Sequence, residues 1–429
     1  MHIVDTALAK REEEGNPIRV GMIGAGFMAK GVANQIVNSV PGMSLVAIAN
    51  RTLSNATKAY TEAGIEELNE VSTLSELEDS ISLGRAAVTE DPFILCEAGG
   101  IDVVLEITGA VEFGAQVTMK AIECGKHMVS MNAELDATVG SILQKKANEA
   151  GVIYTISDGD QPGVEMNLWR FVKGIGLTPL VCGNIKGLQD AYRNPTTQEG
   201  FAKKWGQNPY MVTSFADGSK ISFEQACVAN ATGMQVEMRG MRGGDFEGHV
   251  DELCHVDRYD VEHLKSLGGV VDYTVKTTPG PGVFVLATHD DPKQKHMLNL
   301  YKLGEGPLYS FYTPYHLCHF EVPMSVARVA LFGDKVLAAE RPMVDVITIA
   351  KTDLKADTRI DEIGGYYSYG QCENYSTARS ENLLPLGLAE GCVLKRDVSK
   401  DEAITLDDVD VPESGLAYKL WCEQREVFG

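Results

Sequence analysis

The chain reads as an α/β protein: a doubly wound parallel sheet, then an α+β mixed-sheet part, then a small β-rich tail. Three observations carry that expectation. An apolar run, Val20–Ile23, leads into Gly24-Ala25-Gly26-Phe27-Met28-Ala29, which fits G-x-G-x-x-G/A at a strand-to-helix turn. Strand and helix patterns then alternate down to about residue 157. Beyond Gly163 the alternation loosens, and from about Ala339 only short strands and turns are suggested. The expected divisions are 1–160, 161–338 and 339–429.

The elements follow in order. A second strand lies within Leu45–Thr52, and a helix runs near Leu53–Gly64. An acidic stretch, 66–80, precedes a short strand at Ala86–Thr89. Ile101–Ile107 is β-branched and apolar, which suits a strand buried on both faces, and it ends in Thr108-Gly109. Helices at Val111–Cys124 and Ala137–Ala150 separate strands at His127–Met131 and Val152–Ser157. In the next part a helix over Val164–Ile175 precedes a strand at Leu180–Leu188. The stretch RNPTTQEGFAKKWGQNPY reads as a polar, aromatic loop, and Phe223–Asn230 as a helix. Thr274–His289 and Asn299–Tyr312 are expected as strands, closed by a helix at Pro323–Phe332.

The fingerprint implies a dinucleotide. Gly24 permits the tight turn, Gly26 lets a pyrophosphate approach, and the helix N-terminus offers the Phe27 and Met28 amides. Where an NAD-specific chain carries Asp or Glu, this one has Asn50-Arg51-Thr52. A guanidinium there can grip a ribose 2′-phosphate, so NADPH is the expected cofactor. Thr108, Gly109 and Asn132 follow sheet strands and should line the same cleft.

Composition narrows the rest. The 429 residues carry a formal net charge of -22, which argues against nucleic acid or an anionic membrane as partner. Nine scattered cysteines with no C-x-x-C pair suit a reducing cytoplasm better than a disulfide framework or a zinc cluster. The charged N-terminus lacks an apolar signal core, and no apolar run is long enough to span a bilayer. The β-rich tail offers a contact surface for a homodimer.

Candidate chemistry falls at the strand ends and in the second part. Glu134, Asp158 and Asp160 follow sheet strands and could ligate Mg²⁺ or Mn²⁺, or serve as acid and base, although both aspartates could equally cap a helix. Lys186 ends an apolar strand, and Lys220 stands at a helix start four residues before Glu224, a spacing that also suits an exposed ion pair. Lys186, Lys220, Glu134 and Asp160 are therefore the catalytic candidates. Asp158, Arg193, Lys203, Lys204 and His316 are the substrate-binding candidates, with a solvated loop as the plainer reading of the Lys203-Lys204 pair.

Residues 18–160 resemble the nucleotide-binding half of homoserine dehydrogenases through VGMIGAG, DVVLEITGA and GKHMVSMNAE. The chain departs from them where Ala133-Glu134 follow Asn132 in place of a lysine, and it lacks their D-x-x-G-x-D-x-x-x-K segment. Over most of 15–425 it more closely resembles the 1-deoxy-D-xylulose-5-phosphate reductoisomerase-like proteins. GNIKGLQDAYRNPTT, SFADGSKISFEQACVANATGM and TPYHLCHFEVPMSVARVAL carry that resemblance. LGLAEGCVLKRDVSKDEAITLDDVDV resembles an SAF-type module. The resemblance implies an NADPH-dependent, divalent-metal-assisted reductoisomerase of isoprenoid precursor synthesis. Its substrate would be the phosphorylated sugar 1-deoxy-D-xylulose 5-phosphate and its product 2-C-methyl-D-erythritol 4-phosphate. Two alternatives stand beside it: an NAD(P)-dependent sugar-acid or homoserine-like dehydrogenase, and a non-catalytic NADP(H)-sensing protein.

Overall fold

The computed structural model describes residues 4–255 and 257–429. Its first part opens with α1 (Asp5–Glu13), β1 (Ile18–Ile23), α2 (Phe27–Ser39), β2 (Met43–Ala49) and α3 (Leu53–Glu62). The acidic stretch forms β3 (Leu68–Glu70) and α4 (Leu74–Ser82), the latter started by a Thr73–Glu76 capping box. β4 (Ala86–Thr89), α5 (Phe93–Glu97), β5 (Val103–Glu106) and α6 (Val111–Glu123) follow. β6 (His127–Ser130), α7 (Ala133–Glu149) and β7 (Tyr154–Ile156) complete a parallel sheet of order β3-β4-β2-β1-β5-β6-β7.

That is the expected doubly wound sheet, and β1 and β5 lie side by side at its centre. Val103, Val104 and Leu105 are fully buried, as the apolar run requires of a strand covered on both faces. Gly24 is indispensable here: its φ is +111°, and a Cβ would stand 2.7 Å from the Ile107 carbonyl oxygen.

The second part comprises α8 (Gln161–Gly174), β8 (Thr178–Lys186), α9 (Pro195–Trp205), α10 (Pro209–Asp217), α11 (Ser219–Thr232) and α12 (Val261–Leu267). β9 (Val270–Val275), β10 (Gly282–Thr288), α13 (Pro292–Leu300), β11 (Tyr309–Thr313) and α14 (Val322–Phe332) follow. The strands form a mixed sheet, β11-β10-β8-β9, in which only β8 and β9 run parallel. Two expectations fail in this part. The supposed polar loop holds α9 and α10, each begun by an Asn-Pro pair whose asparagine caps the helix. The strand expected at Asn299–Tyr312 is confined to β11, because Asp291-Pro292 starts α13 instead.

The tail contributes β12 (Val344–Ala350), β13 (Ser368–Asn374), α15 (Tyr375–Ser380), β14 (Val393–Leu394), β15 (Val409–Asp410) and α16 (Leu416–Phe428). The three parts interlock. α14 packs on α2, β1, β5 and β6, and the Ile156 amide donates to the Leu337 carbonyl at the edge of the first sheet. α11 is buried from Ser219 to Asn230, between α7, α8 and the β12–β13 pair. α16 returns to α6 and α7, its first amides capped by the Glu112 carboxylate at 2.9 and 2.8 Å. All nine cysteines are free thiols. Among the described residues, no helix is long and apolar enough to cross a membrane.

Candidate functional site

At the carboxyl edge of the first sheet, the β1–α2 turn meets the β5–α6 turn. The Ile107 amide donates to Ile23, and Glu106 braces the second turn by accepting from the Thr108 amide and hydroxyl and from the Ser130 hydroxyl. Glu106 is wholly buried, which pushes its carboxyl up against the lowering pull of those donors. The N-cap of α2 is Gly26, with no side-chain cap and open space where a Cβ would stand. The first amides of α2 therefore face a cradle that a phosphate fits. Arg51, at the end of β2, is exposed and forms no ion pair among the described residues, while Asn50 turns back to the Thr52 carbonyl. These residues fit a dinucleotide. Asn132 contributes differently from the expectation: its buried side chain caps α7 through the Leu135 amide and ties down the Ala110 carbonyl.

Beyond that edge lies a buried charged cluster assembled from four elements. Lys220, on the inward face of α11, places its Nζ 3.5 Å from Glu134 on α7 and 3.3 Å from Asp160, the N-cap of α8. Lys186, at the end of β8, donates to Gln161 at 2.9 Å and to Glu224 at 3.2 Å. Asn184 also donates to Glu224, and Gln161 to Asn184. Lys220 and Glu224 are thus not an exposed pair one turn apart. Both are buried, and their hydrogen-bond and close ion-pair partners come from other segments.

The electrostatics divide the groups. Burial alone would lower the Lys220 pKa, but Glu134, Asp160 and Glu224 together raise it well above the usual lysine range. Asp160 is pulled low despite burial, chiefly by Lys220. Burial pushes Glu224 up even with Lys186 beside it. His316 is pushed down by burial, against the pull of Asp160, which favours the neutral imidazole.

His316 reaches the cluster on a loop clamped over the start of α8. The Cys318 amide donates to Gly159 at 2.7 Å, and a Cβ at Gly159 would stand 2.2 Å from the Cys318 carbonyl oxygen. The same loop lays the His319 ring on Gly31 of α2, leaving no room there for a side chain. On the other flank, the Met211 methyl of α10 lies 3.5 Å from where a Gly109 Cβ would stand. The loop and α10 thus approach the dinucleotide end of the molecule and the charged cluster together.

Five sequence candidates therefore meet: Lys186, Lys220, Glu134, Asp160 and His316. The others do not join them. Asp158 binds Asn167 at 2.5 Å and faces Arg328 at 3.8 Å, so the proposed Glu134–Asp158–Asp160 metal set does not converge. The Lys220 ammonium already stands between the remaining two carboxylates, and this donor set does not fit a divalent ion. Arg193 pairs with Asp190, and its carbonyl receives the buried Lys351, which also pairs with Asp217. Lys203 and Lys204 are exposed on the last turn of α9, with Lys204 over the Trp205 ring. Gln161, Asn184, Glu224 and Cys318 were not singled out as site residues, although a polar residue among apolar strand positions, as at Asn184, is a readable signal.

Comparison with known proteins finds two matching domain models. Residues 21–156 match the model of the homoserine dehydrogenase NAD-binding domain, and 159–322 that of the catalytic domain of the oxidoreductase DRL. Homoserine dehydrogenase of Neisseria gonorrhoeae is 28% identical over 138 residues, 32% of this chain and 28% of that one. That of Pseudomonas aeruginosa is 40% identical over 70 residues, 16% of each chain. The chain thus spans less than a third of the length of these two relatives. A probable dehydrogenase from Thermotoga maritima aligns over 74% of this chain and 90% of its own at 13% identity and a TM-score of 0.43. These findings correct the reductoisomerase expectation. The sequence matches are a homoserine-dehydrogenase nucleotide domain and an oxidoreductase catalytic domain, with no support for deoxyxylulose phosphate, isoprenoid synthesis or an SAF-type tail. What they establish is a nicotinamide-dinucleotide-binding α/β fold of the oxidoreductase type.

Proposed function

We propose that this chain is an NADP(H)-dependent dehydrogenase acting on a secondary or primary carbinol of a small polyhydroxylated acid or a homoserine-like hydroxy acid. The observation that carries the reading is the pairing of two buried lysines with three carboxylates beside a dinucleotide cradle. The bound nicotinamide would supply hydride transfer; the chain's own residues would handle the oxygen and its proton.

Lys220, held protonated by its carboxylates, is suited to stabilise charge on the reacting oxygen rather than to give up its proton. His316, favoured as the neutral imidazole, is suited to accept the carbinol proton and to return it in the reductive direction. Lys186 and Gln161 orient the same oxygen or its neighbour, and Glu224 fixes Lys186. Arg51 supports the phosphorylated cofactor.

The test is a panel of sugar acids, polyols and homoserine with NADP⁺ and NAD⁺, followed by absorbance of the reduced cofactor. Turnover on at least one hydroxy acid or polyol, lost in Lys220→Met with NADPH binding retained, supports the reading. Tight NADPH binding without turnover on any of them would favour a sensor instead.

A further inference from the structure

The loop that carries His316 into the site also carries Cys318, whose Sγ stands 3.6 Å from His316 Nδ1. One donor atom from each of Asp160, His316 and Cys318 lies within 4.8 Å of the other two, and each residue is partly buried. This trio shares only Asp160 with the Glu134–Asp158–Asp160 set that does not converge.

Tetrahedral zinc holds a thiolate sulfur at about 2.3 Å and an imidazole nitrogen at about 2.0–2.1 Å, so its sulfur–nitrogen edge is about 3.6 Å. The Cys318–His316 gap has that length before any cation enters. Backbone contacts fix the ligands against one another. The Cys318 amide donates to the Gly159 carbonyl at 2.7 Å, next to Asp160 in the chain. Glu321 accepts from the Leu317 amide at 3.0 Å and holds the same loop. Cys318 sits at φ +31°, a conformation that a non-glycine residue keeps only when its surroundings impose it. Asp160 retains capacity to ligate. One of its oxygens accepts from the Gln161 amide and the other faces Lys220, which leaves a lone pair on each. The surroundings suit a cation as well, because Glu134, Asp160 and Glu224 outnumber Lys186 and Lys220. A thiolate and an imidazole beside one carboxylate select Zn²⁺ over Mg²⁺, which prefers oxygen ligands. Three protein ligands leave the fourth position exchangeable.

We propose that Asp160, His316 and Cys318 form a binding site for a thiophilic divalent cation of the Zn²⁺ type. The cation replaces the proton between thiol and imidazole, and that proton leaves to solvent. It also occupies the one lone pair of the neutral imidazole. On the dehydrogenase reading, on which this consequence alone rests, His316 then accepts no carbinol proton and Zn²⁺ inhibits reversibly.

The experiment titrates the full chain with Co²⁺ as the probe. A saturable thiolate-to-cobalt charge-transfer band in the near ultraviolet is expected, removed by equimolar Zn²⁺ and kept in excess Mg²⁺. Cys318→Ser should abolish the band, with the other cysteines remaining as its control. His316→Ala should weaken Co²⁺ binding at least about tenfold, and this titration decides if Cys318→Ser loses its thermal transition. None of this needs turnover, so the site and the dehydrogenase reading can fail separately. Where turnover is found, Zn²⁺ should inhibit the parent at least about tenfold more strongly than Cys318→Ser, each against its own metal-free rate. No band, a band undiminished in folded Cys318→Ser, equal affinity in folded His316→Ala, or displacement by Mg²⁺ would overturn the proposal.

Discussion

Asp136 lies two residues beyond Glu134 on α7, and neither of its carboxylate oxygens has a hydrogen-bond partner among the described residues. Burial pushes its carboxyl from 3.8 up to about 7, with Tyr154 and Cys227 as the polar groups that act on it. The folded chain therefore keeps this proton between about pH 4 and pH 7 while the unfolded chain releases it. Because the folded value is raised, the stabilising state is the protonated one, and stability falls as pH rises through that window. At about 1.4 kcal/mol for each tenfold change, the whole interval amounts to about 4 kcal/mol. Asp136→Asn removes the charge while keeping the shape. Other titrating groups cancel when the variant is compared with the parent at each pH. From pH 5 to pH 8 the variant should therefore gain about 2–3 kcal/mol on the parent. Urea unfolding followed by tryptophan fluorescence at the two pH values measures that gap. A gap equal at both, within about 0.5 kcal/mol, would falsify the claim that this carboxyl is buried without compensation.

The remaining predictions address the cofactor and the frame around it. Arg51→Glu should weaken NADPH binding about tenfold or more and leave NADH binding little changed, as read by cofactor fluorescence titration. Equal losses for both would mean that Arg51 does not contact the 2′-phosphate. Lys220→Met should lower kcat by about 10²–10⁴ while the NADPH dissociation constant holds, measured on whichever hydroxy acid is turned over. Gly31→Ala puts a Cβ 2.6 Å from the His319 ring and should cost about 1–3 kcal/mol, together with a raised cofactor KM. An unchanged melting temperature and KM would place the loop elsewhere. Lys351→Met leaves Asp217 buried with its charge unpaired and should destabilise by about 3–5 kcal/mol in urea unfolding.

How far the sequence could be read depended on how local the cause was. β1 and β5 were legible because a strand buried on both faces must be apolar throughout, and Gly24 because its turn admits little else. α9 and α10 were obscured by polar composition, although Asn194-Pro195 and Asn208-Pro209 are helix starts written in the chain. The charged cluster was legible residue by residue and opaque as pairs. Spacing suggested Lys220 with Glu224, because an i,i+4 relation is all that a single segment shows. α11 is instead buried along most of its length, and its lysine is satisfied by Glu134 and Asp160 from two distant helix starts. No periodicity encodes such long-range convergence.

The same convergence narrows the substrate. Burying an ammonium is favourable only when carboxylates and hydrogen bonds compensate for its lost hydration, and here Glu134, Asp160 and Glu224 face Lys186 and Lys220. With all five ionised the cluster is negative by one charge. The raised Glu224 carboxyl is the group best placed to hold the neutralising proton. A cluster so balanced has no cation left over for a substrate phosphate or carboxylate, yet it retains N–H donors for a neutral oxygen. On the proposed dehydrogenase reading, the reacting carbinol would sit at Lys220 and Lys186, with any anionic group of the substrate held away from them. An unphosphorylated polyol or hydroxy acid meets that requirement better than a sugar phosphate whose charge would need the two lysines for itself.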